Sequence, residues 1–161
     1  MDRVLLTRTG YETLMVKLTD MQGRGRREVA DELEIARSHG DLRENADYDA
    51  AKEKQGMLEA QIRMLEDQLG RSEVIDLSSV KGDVVAFGAI VKIENLETEK
   101  ISTYQIVGEL ESDLAKRKIS VTAPIIKALL GKEVGDIVEI ELAQGVQDYE
   151  ILEIKTPSTK A

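Results

Sequence analysis

The chain has 161 residues, 42% apolar and 33% charged, with a net charge of −9 and no cysteine. Such figures fit two modest globular domains and exclude a disulfide framework or a thiolate metal site. The acid excess also argues against a general nucleic-acid binder, which needs clustered cations to neutralise phosphates.

Aromatics make up 3% of the chain, with no Trp and one Phe, so a large aromatic-lined pocket is not expected. No apolar run approaches membrane-spanning length and the N-terminus lacks a signal-peptide apolar segment, so the expectation is a cytoplasmic protein without a membrane partner. The first strong periodicity is Tyr11, Leu14, Leu18, Met21, Gly25, Val29, Leu33 and Ala36, steps of three and four that predict a helix. Thr7 or Thr9 suits its N-cap and Gly40 its C′ position. Gly23 and Gly25 fall inside it, each costing about 1 kcal/mol relative to Ala, so a bend or fraying is expected there.

A second helix starts near Tyr48 and carries the seam Tyr48, Ala51, Gln55, Leu58, Ile62, Leu65 and Leu69, with Gln55 its one polar member. That narrow seam is the pattern of a coiled coil, and the two helices predict an antiparallel hairpin. At 1.5 Å per residue a helix from Arg8 to His39 extends roughly 48 Å, longer than a domain this small needs for its own core.

Gly70 closes the second helix, Val74-Ile75-Asp76 continues extended, and Ser78 to Asp83 reads as a linker. Beyond it, Val84 to Phe87, Ala89 to Ile93, Ile101 to Val107, Ile137 to Leu142 and Tyr149 to Ile154 alternate as short strands of a mostly antiparallel sheet. One short helix interrupts them, with Thr122 as N-cap, Pro124 in its first turn and Gly131 at its end. The expected class is therefore α+β, divided into a hairpin domain over 1–76, a linker over 77–83, a sheet domain over 84–156 and a frayed tail over 157–161.

Two features bear on chemistry. Arg24, Arg26, Arg27 and Arg37, with Lys52 and Lys54 on the second helix, form either a solvated face offset by Asp31, Glu32 and Glu34 or a narrow basic track for one nucleic-acid strand. The bend between the helices, Ser38-His39-Gly40-Asp41-Leu42-Arg43-Glu44-Asn45-Ala46-Asp47-Tyr48, carries acids at an exposed tip. Asp41 and Glu44 have capping-box spacing, which supplies a purely structural account. Yet Asp41, Glu44, Asp47 and Asp49 are more acid than capping requires. Two carboxylates are also a usual protein share of a Mg²⁺ site that a second molecule completes. His39 reads as a helix-end residue rather than a ligand.

These residues resemble a known family. Leu6-Thr7-Arg8-Thr9-Gly10-Tyr11, the run from Ala36 to Glu53, Phe87-Gly88-Ala89, Tyr104 to Gly108 and Ile119 to Lys132 are similar to the bacterial Gre transcript-cleavage factors, nearest their GreA branch, over nearly the whole chain. The resemblance implies a coiled-coil hairpin followed by an FKBP-like sheet domain. It implies a factor, not itself an enzyme, that enters the secondary channel of bacterial RNA polymerase and stimulates hydrolysis of the backtracked nascent RNA 3′ end. Asp41 and Glu44 match the family's paired tip acids, which would share a Mg²⁺ ion with the polymerase and position the attacking water. Ser38, Asn45 and Tyr48 match tip-supporting positions, Arg37 and Arg26 would line the route of the RNA, and Thr122-Ala123-Pro124 matches a polymerase-docking loop. The chain is expected to act as a monomer. Asp47 stands where the family often has Glu, which leaves the acid pair intact. Two alternatives stay open: an inhibitory homologue that occupies the channel, against which the Gly40-to-Tyr48 motif argues, and an FKBP-like prolyl isomerase, for which Phe87, Tyr104 and Tyr149 are too few aromatics.

Overall fold

The structure, a computed structural model, describes residues 3–41, 45–77 and 82–157. It is α+β, and its contacts divide it into two compact units, Tyr11–Arg71 and a second that joins the residues up to Gly10 with the chain from Ser72 onward.

The first unit is helical. Helix α1 (Arg8–Asp20) passes through a π turn (Met21–Gly25) into α2 (Arg26–Arg37), and α3 (Ala46–Gly70) returns. Every position of both sequence seams is buried or half-buried. Val29, Leu33 and Ala51 form a buried cluster against which Tyr48 and Leu58 pack. Arg26 pairs with Glu59 and Glu32 with Lys54, so partners rise along α2 as they fall along α3, the mark of an antiparallel pair.

The bend expected at Gly23 and Gly25 is a π turn, in which the Arg26 N–H reaches the carbonyl of Met21 five residues back. The seam explains it: from Met21 to Gly25, Val29 and Leu33 the steps are all four, whereas a heptad would alternate three and four. One residue is in excess, and a π turn absorbs a single extra residue while keeping the later seam on the same face. Arg24 spans the turn, its guanidinium donating to Asp20 at 2.7 and 2.9 Å and to Glu28 at 2.7 Å.

The second unit is built on a mixed sheet in the order β5-β4-β3-β7-β6, formed by β3 (Ile90–Asn95), β4 (Ile101–Val107), β5 (Lys118–Ser120), β6 (Ile137–Leu142) and β7 (Gly145–Lys155). All pairs are antiparallel except β4 with β5, in keeping with the mostly antiparallel sheet expected. The chain between them passes through two short 3₁₀ turns, Glu109–Glu111 and Leu114–Lys116, which supply the crossover a parallel pair needs. Alternation along β3 and β6 buries Val91, Ile93, Val138 and Ile140, and these join Ile106, Ile151, Ile126 and Leu129 in one core. At roughly 1.5–3 kcal/mol for each fully buried aliphatic side chain, this cluster is the main stabiliser of the unit.

Two expectations change here. Val84 to Phe87 is not a strand: the Val85 backbone bonds with Lys132 and Gly131 beyond α4 (Pro124–Leu129), and the chain turns at Phe87 and Gly88, the latter at φ 88°. Its apolar run reflects burial of Val85 in the core rather than ladder pairing. The ends of the expected hairpin domain also belong elsewhere, because β1 (Val4–Thr7) and β2 (Ser72–Ile75) pair in parallel and group with the sheet unit. Of the expected linker, Leu77 is buried and residues 78–81 lie outside the described residues. Pro157, placed in the frayed tail, is buried, and residues 158–161 lie outside the description.

Deleting Gly23, an exposed glycine whose missing side chain would meet nothing, should remove the excess residue and convert the π turn to α-helix. The expected outcome is retained helical circular dichroism and an unfolding midpoint no lower than that of the parent. Deleting Ala30, beyond the turn, should rotate Leu33 and Ala36 out of the seam and lower the midpoint sharply.

Candidate functional site

The tip is held by one side chain. Asn45 is the N-cap of α3: its carbonyl oxygen accepts from the Tyr48 N–H at 3.0 Å, while its amide nitrogen donates to the Ala36 carbonyl at the end of α2. It is only 8% exposed, so both polar ends are satisfied inside the protein. One amide thus serves an orphan donor of the returning helix and a terminal carbonyl of the outgoing one. The N-cap of α3 is thus Asn45, four residues after Asp41.

The other predicted residues are distributed as follows. Ser38 is the C-cap of α2 and its hydroxyl donates to the Ile35 carbonyl at 2.5 Å. Gly40, expected at C′, lies one residue further on, since Ser38 is the C-cap, and takes φ 111°, the positive value that lets the chain leave the helix. Asp41 is exposed on the bend, and Glu44 lies outside the described residues, as do Leu42 and Arg43. Tyr48 packs into the hairpin cluster, so its support of the tip comes through the core. Arg37 is the exposed last residue of α2.

His39 and Asp47 were not paired in the sequence reading. Across the bend the His39 Nδ1 lies 3.2 Å from an Asp47 carboxylate oxygen, and these two with Asp41, Asn45 and Ala46 line an open concavity. Nothing in a linear spacing of eight residues signals that contact, which depends on how the bend closes.

Half of the basic track, Arg24, Arg26 and Lys54, is paired with carboxylates. Arg26 makes a two-pronged pair with Glu59 at 2.9 Å for both bonds, and that hydrogen bonding raises the guanidinium pKa and lowers that of the carboxylate. Lys54 is likewise raised by its bond to Glu32 at 2.7 Å, and Asp20 lowered by Arg24. These contacts favour the solvated, carboxylate-offset face. In the sheet unit Ala123, rather than Thr122, is the N-cap of α4, without a side-chain cap bond. The Thr122 hydroxyl instead lies 2.6 Å from that of Ser120, and Thr122 and Pro124 are exposed.

Among the described residues no group of three or more His, Asp or Glu side chains is placed to hold a metal ion. The donor set at the bend, an exposed Asp41 beside an Asp47 engaged by His39, fits at most a partial share of a hard-cation site. Mg²⁺ ordinarily accepts such a share, taking one or two carboxylates with water and phosphate oxygens.

A helical hairpin with an acidic, Asn-locked bend, followed by a mixed five-stranded sheet, defines the class. Residues 4–74 match the N-terminal domain described for transcription elongation factors, and residues 80–156 match the C-terminal domain of GreA and GreB. The chain is 45% identical to the transcription elongation factor GreA of Rickettsia bellii over 150 residues, 93% of each protein. With GreA of Phenylobacterium zucineum it shares 45% identity over 155 residues, covering 96% of this chain and 99% of the other. Among solved structures, GreA factor homolog 1 of Thermus thermophilus is 30% identical, covers 95% of this chain and 99% of its own, and superposes with a TM-score of 0.43. The chain belongs to the GreA/GreB family of transcription elongation factors. No helix among its described residues is long and apolar enough to cross a membrane.

Replacing Asn45 by Ala removes the cap and leaves the Ala36 carbonyl without its amide partner, so a loss of about 1–3 kcal/mol is expected in denaturant unfolding. Asn45→Asp should recover part of this by retaining the acceptor for Tyr48. Asp41→Asn should leave stability within about 0.5 kcal/mol of the parent, as expected for an exposed position. A loss in Asp41→Asn equal to that in Asn45→Ala would assign a capping role to Asp41 as well.

Proposed function

We propose that the chain stimulates hydrolytic cleavage of backtracked nascent RNA by bacterial RNA polymerase, with the hairpin entering the secondary channel and the tip acids reaching the active site. The observation that carries this reading is the bend itself: Asn45 caps α3 and ties it to the end of α2, and the exposed Asp41 lines the open concavity there with His39 and Asp47. Family membership supports the same reading.

Asp41 and Glu44 would hold a Mg²⁺ ion jointly with the polymerase. When bound, that ion supplies Lewis-acid stabilisation of the phosphodiester and lowers the pKa of water. The chain's own part is delivery and orientation. Asn45 ties α3 to the end of α2, and Ser38 and Tyr48 hold the ends of the two helices that flank the bend. Arg37, at the last turn of α2, would meet an RNA phosphate near the tip, whereas Arg26 would first have to exchange its Glu59 partner. Thr122, Ala123 and Pro124 would dock on the polymerase, their backbone held by the Ser120 turn. The partners are then the polymerase and the RNA 3′ end, with the factor acting as a monomer.

Stalled, backtracked complexes should release a short 3′ fragment and resume elongation when the protein is added. Asp41→Asn and Glu44→Gln should each lower the cleavage rate by at least a hundredfold while displacing labelled parent from polymerase at nearly unchanged concentration. The pure protein with Mg²⁺ and RNA should give no cleavage. Channel occupancy without shortened transcripts in the parent would support the inhibitory alternative instead.

A further inference from the structure

The turn that leads into β5 carries charge and an apolar side chain that the fold does not use. Asp113 and Lys118 close it with two backbone bonds, the Asp113 N–H donating to the Lys118 carbonyl at 2.9 Å and the Lys118 N–H to the Asp113 carbonyl at 3.0 Å. Between them lies the 3₁₀ turn Leu114–Lys116, capped by the Asp113 side chain, which accepts from the Ala115 N–H at 3.1 Å. Arg117 follows at φ 58° and ψ 33°, the left-handed region that a residue with a Cβ enters at a steric cost glycine does not meet. The turn presents Leu114, Lys116 and Arg117 outward. Leu114 is 62% exposed, more than any other large apolar side chain described in the sheet unit. Lys116 and Arg117 are exposed and, among the described residues, have no carboxylate partner. Acids that precede them in the chain are engaged elsewhere: Glu111 accepts from the Thr7 N–H at 2.8 Å, from the Thr7 hydroxyl and from the Gly108 N–H at 3.3 Å, while Asp113 caps the turn.

We propose that Leu114, Lys116 and Arg117 form a docking contact for an acidic segment of the polymerase, one that carries an apolar residue to cover Leu114. The inference deepens the docking reading above and rests on it, because β5 is an edge strand that leads from this turn towards Thr122-Ala123-Pro124. Five residues of chain separate Arg117 from Thr122, at most about 18 Å, so one partner face can meet both. The chemistry selects a protein over a nucleic acid. Phosphates would engage the two cations and leave Leu114 in water, and residues 109–118 hold no aromatic side chain on which a base could stack. The net charge of −9 also opposes a long polyanion, whereas a short acidic segment meets chiefly the cations within the screening length of about 8 Å. An apolar contact rimmed by charge, with arginine in it, is the usual anatomy of a protein interface. An arginine held at positive φ, where glycine would sit without strain, is a further reason to assign its guanidinium a use.

The test measures binding of the full-length protein to RNA polymerase by competition with labelled parent, together with the maximal rate of stimulated cleavage on backtracked complexes. Lys116→Glu combined with Arg117→Glu should raise the half-saturating concentration about tenfold and leave the maximal rate within about twofold of the parent. Added salt should weaken the parent and narrow its advantage over this double variant. Leu114→Ser should raise the half-saturating concentration about fivefold without altering the salt dependence. Arg117→Gly separates binding from folding: its unfolding midpoint should be no lower than the parent's, while binding weakens by about threefold. Binding of the parent that none of these variants changes would overturn the inference and leave the docking reading standing. A fall in maximal rate at unchanged half-saturating concentration would also overturn it. Binding of the isolated parent to single-stranded RNA, lost in the double variant, would overturn it in favour of a nucleic-acid contact. A parent that does not bind polymerase at all would refute the docking reading and the inference together.

Discussion

The bend at the end of the hairpin depends on a single buried amide. Helices leave their last carbonyls and first N–H groups without partners, and an antiparallel pair joined by a short bend brings both kinds of orphan close together. Asn45 answers both at once, donating to Ala36 and accepting from Tyr48. No other side chain type of that size has a donor and an acceptor on opposite sides of one planar group. An Asp in its place would keep the cap and lose the tie, and a Ser would be too short to span both helices. Asn45 thereby holds the two helix ends that flank the exposed Asp41.

Behind the lock, the hairpin relies on a seam whose spacing carries more information than its hydrophobicity alone. Tyr48 and Ala51 meet Val29 and Leu33 only because the excess residue before Val29 is absorbed at the π turn. Without that absorption the later seam would rotate by about 100°, the angle of one α-helical residue, and the acidic bend would rotate with it. Gly23 and Gly25 lower the cost of the irregular turn, and Arg24, bonded on either side of it, closes the gap with ion pairs exposed to solvent. The ion pairs are individually weak in water. Their placement across the turn, rather than their strength, is what matters to the shape.

Much of the helical unit was legible in the sequence because period and burial coincide: every predicted seam residue from Tyr11 to Ala36 and from Tyr48 to Leu69 is buried or half-buried. Even the π turn had left a trace, three successive steps of four, although the glycines drew attention to flexibility instead of register. The sheet was less transparent. Val84 to Phe87 has the composition of a strand, yet its backbone bonds to the residues after α4, a pairing that no local pattern encodes. Asp41 and Asn45 are both good capping residues, and choosing between them required knowing where Ala36 ends up. The Glu111 contacts were out of reach altogether, since a glutamate in a short turn three residues after Gly108 reads the same whether it faces water or accepts from Thr7.

Two polar anchors in the chain share one device. At the bend, Asn45 takes the orphan backbone groups of two helix ends onto one amide. At the start of α1, the Glu111 carboxylate accepts from both the N–H and the hydroxyl of Thr7, and Gly10 leaves the room that a Cβ would fill. Apolar packing constrains distance better than it constrains direction, and directional bonds supply what it lacks. Each anchor is therefore a polar group with two partners, set where a helix begins and its backbone donors would otherwise stand alone.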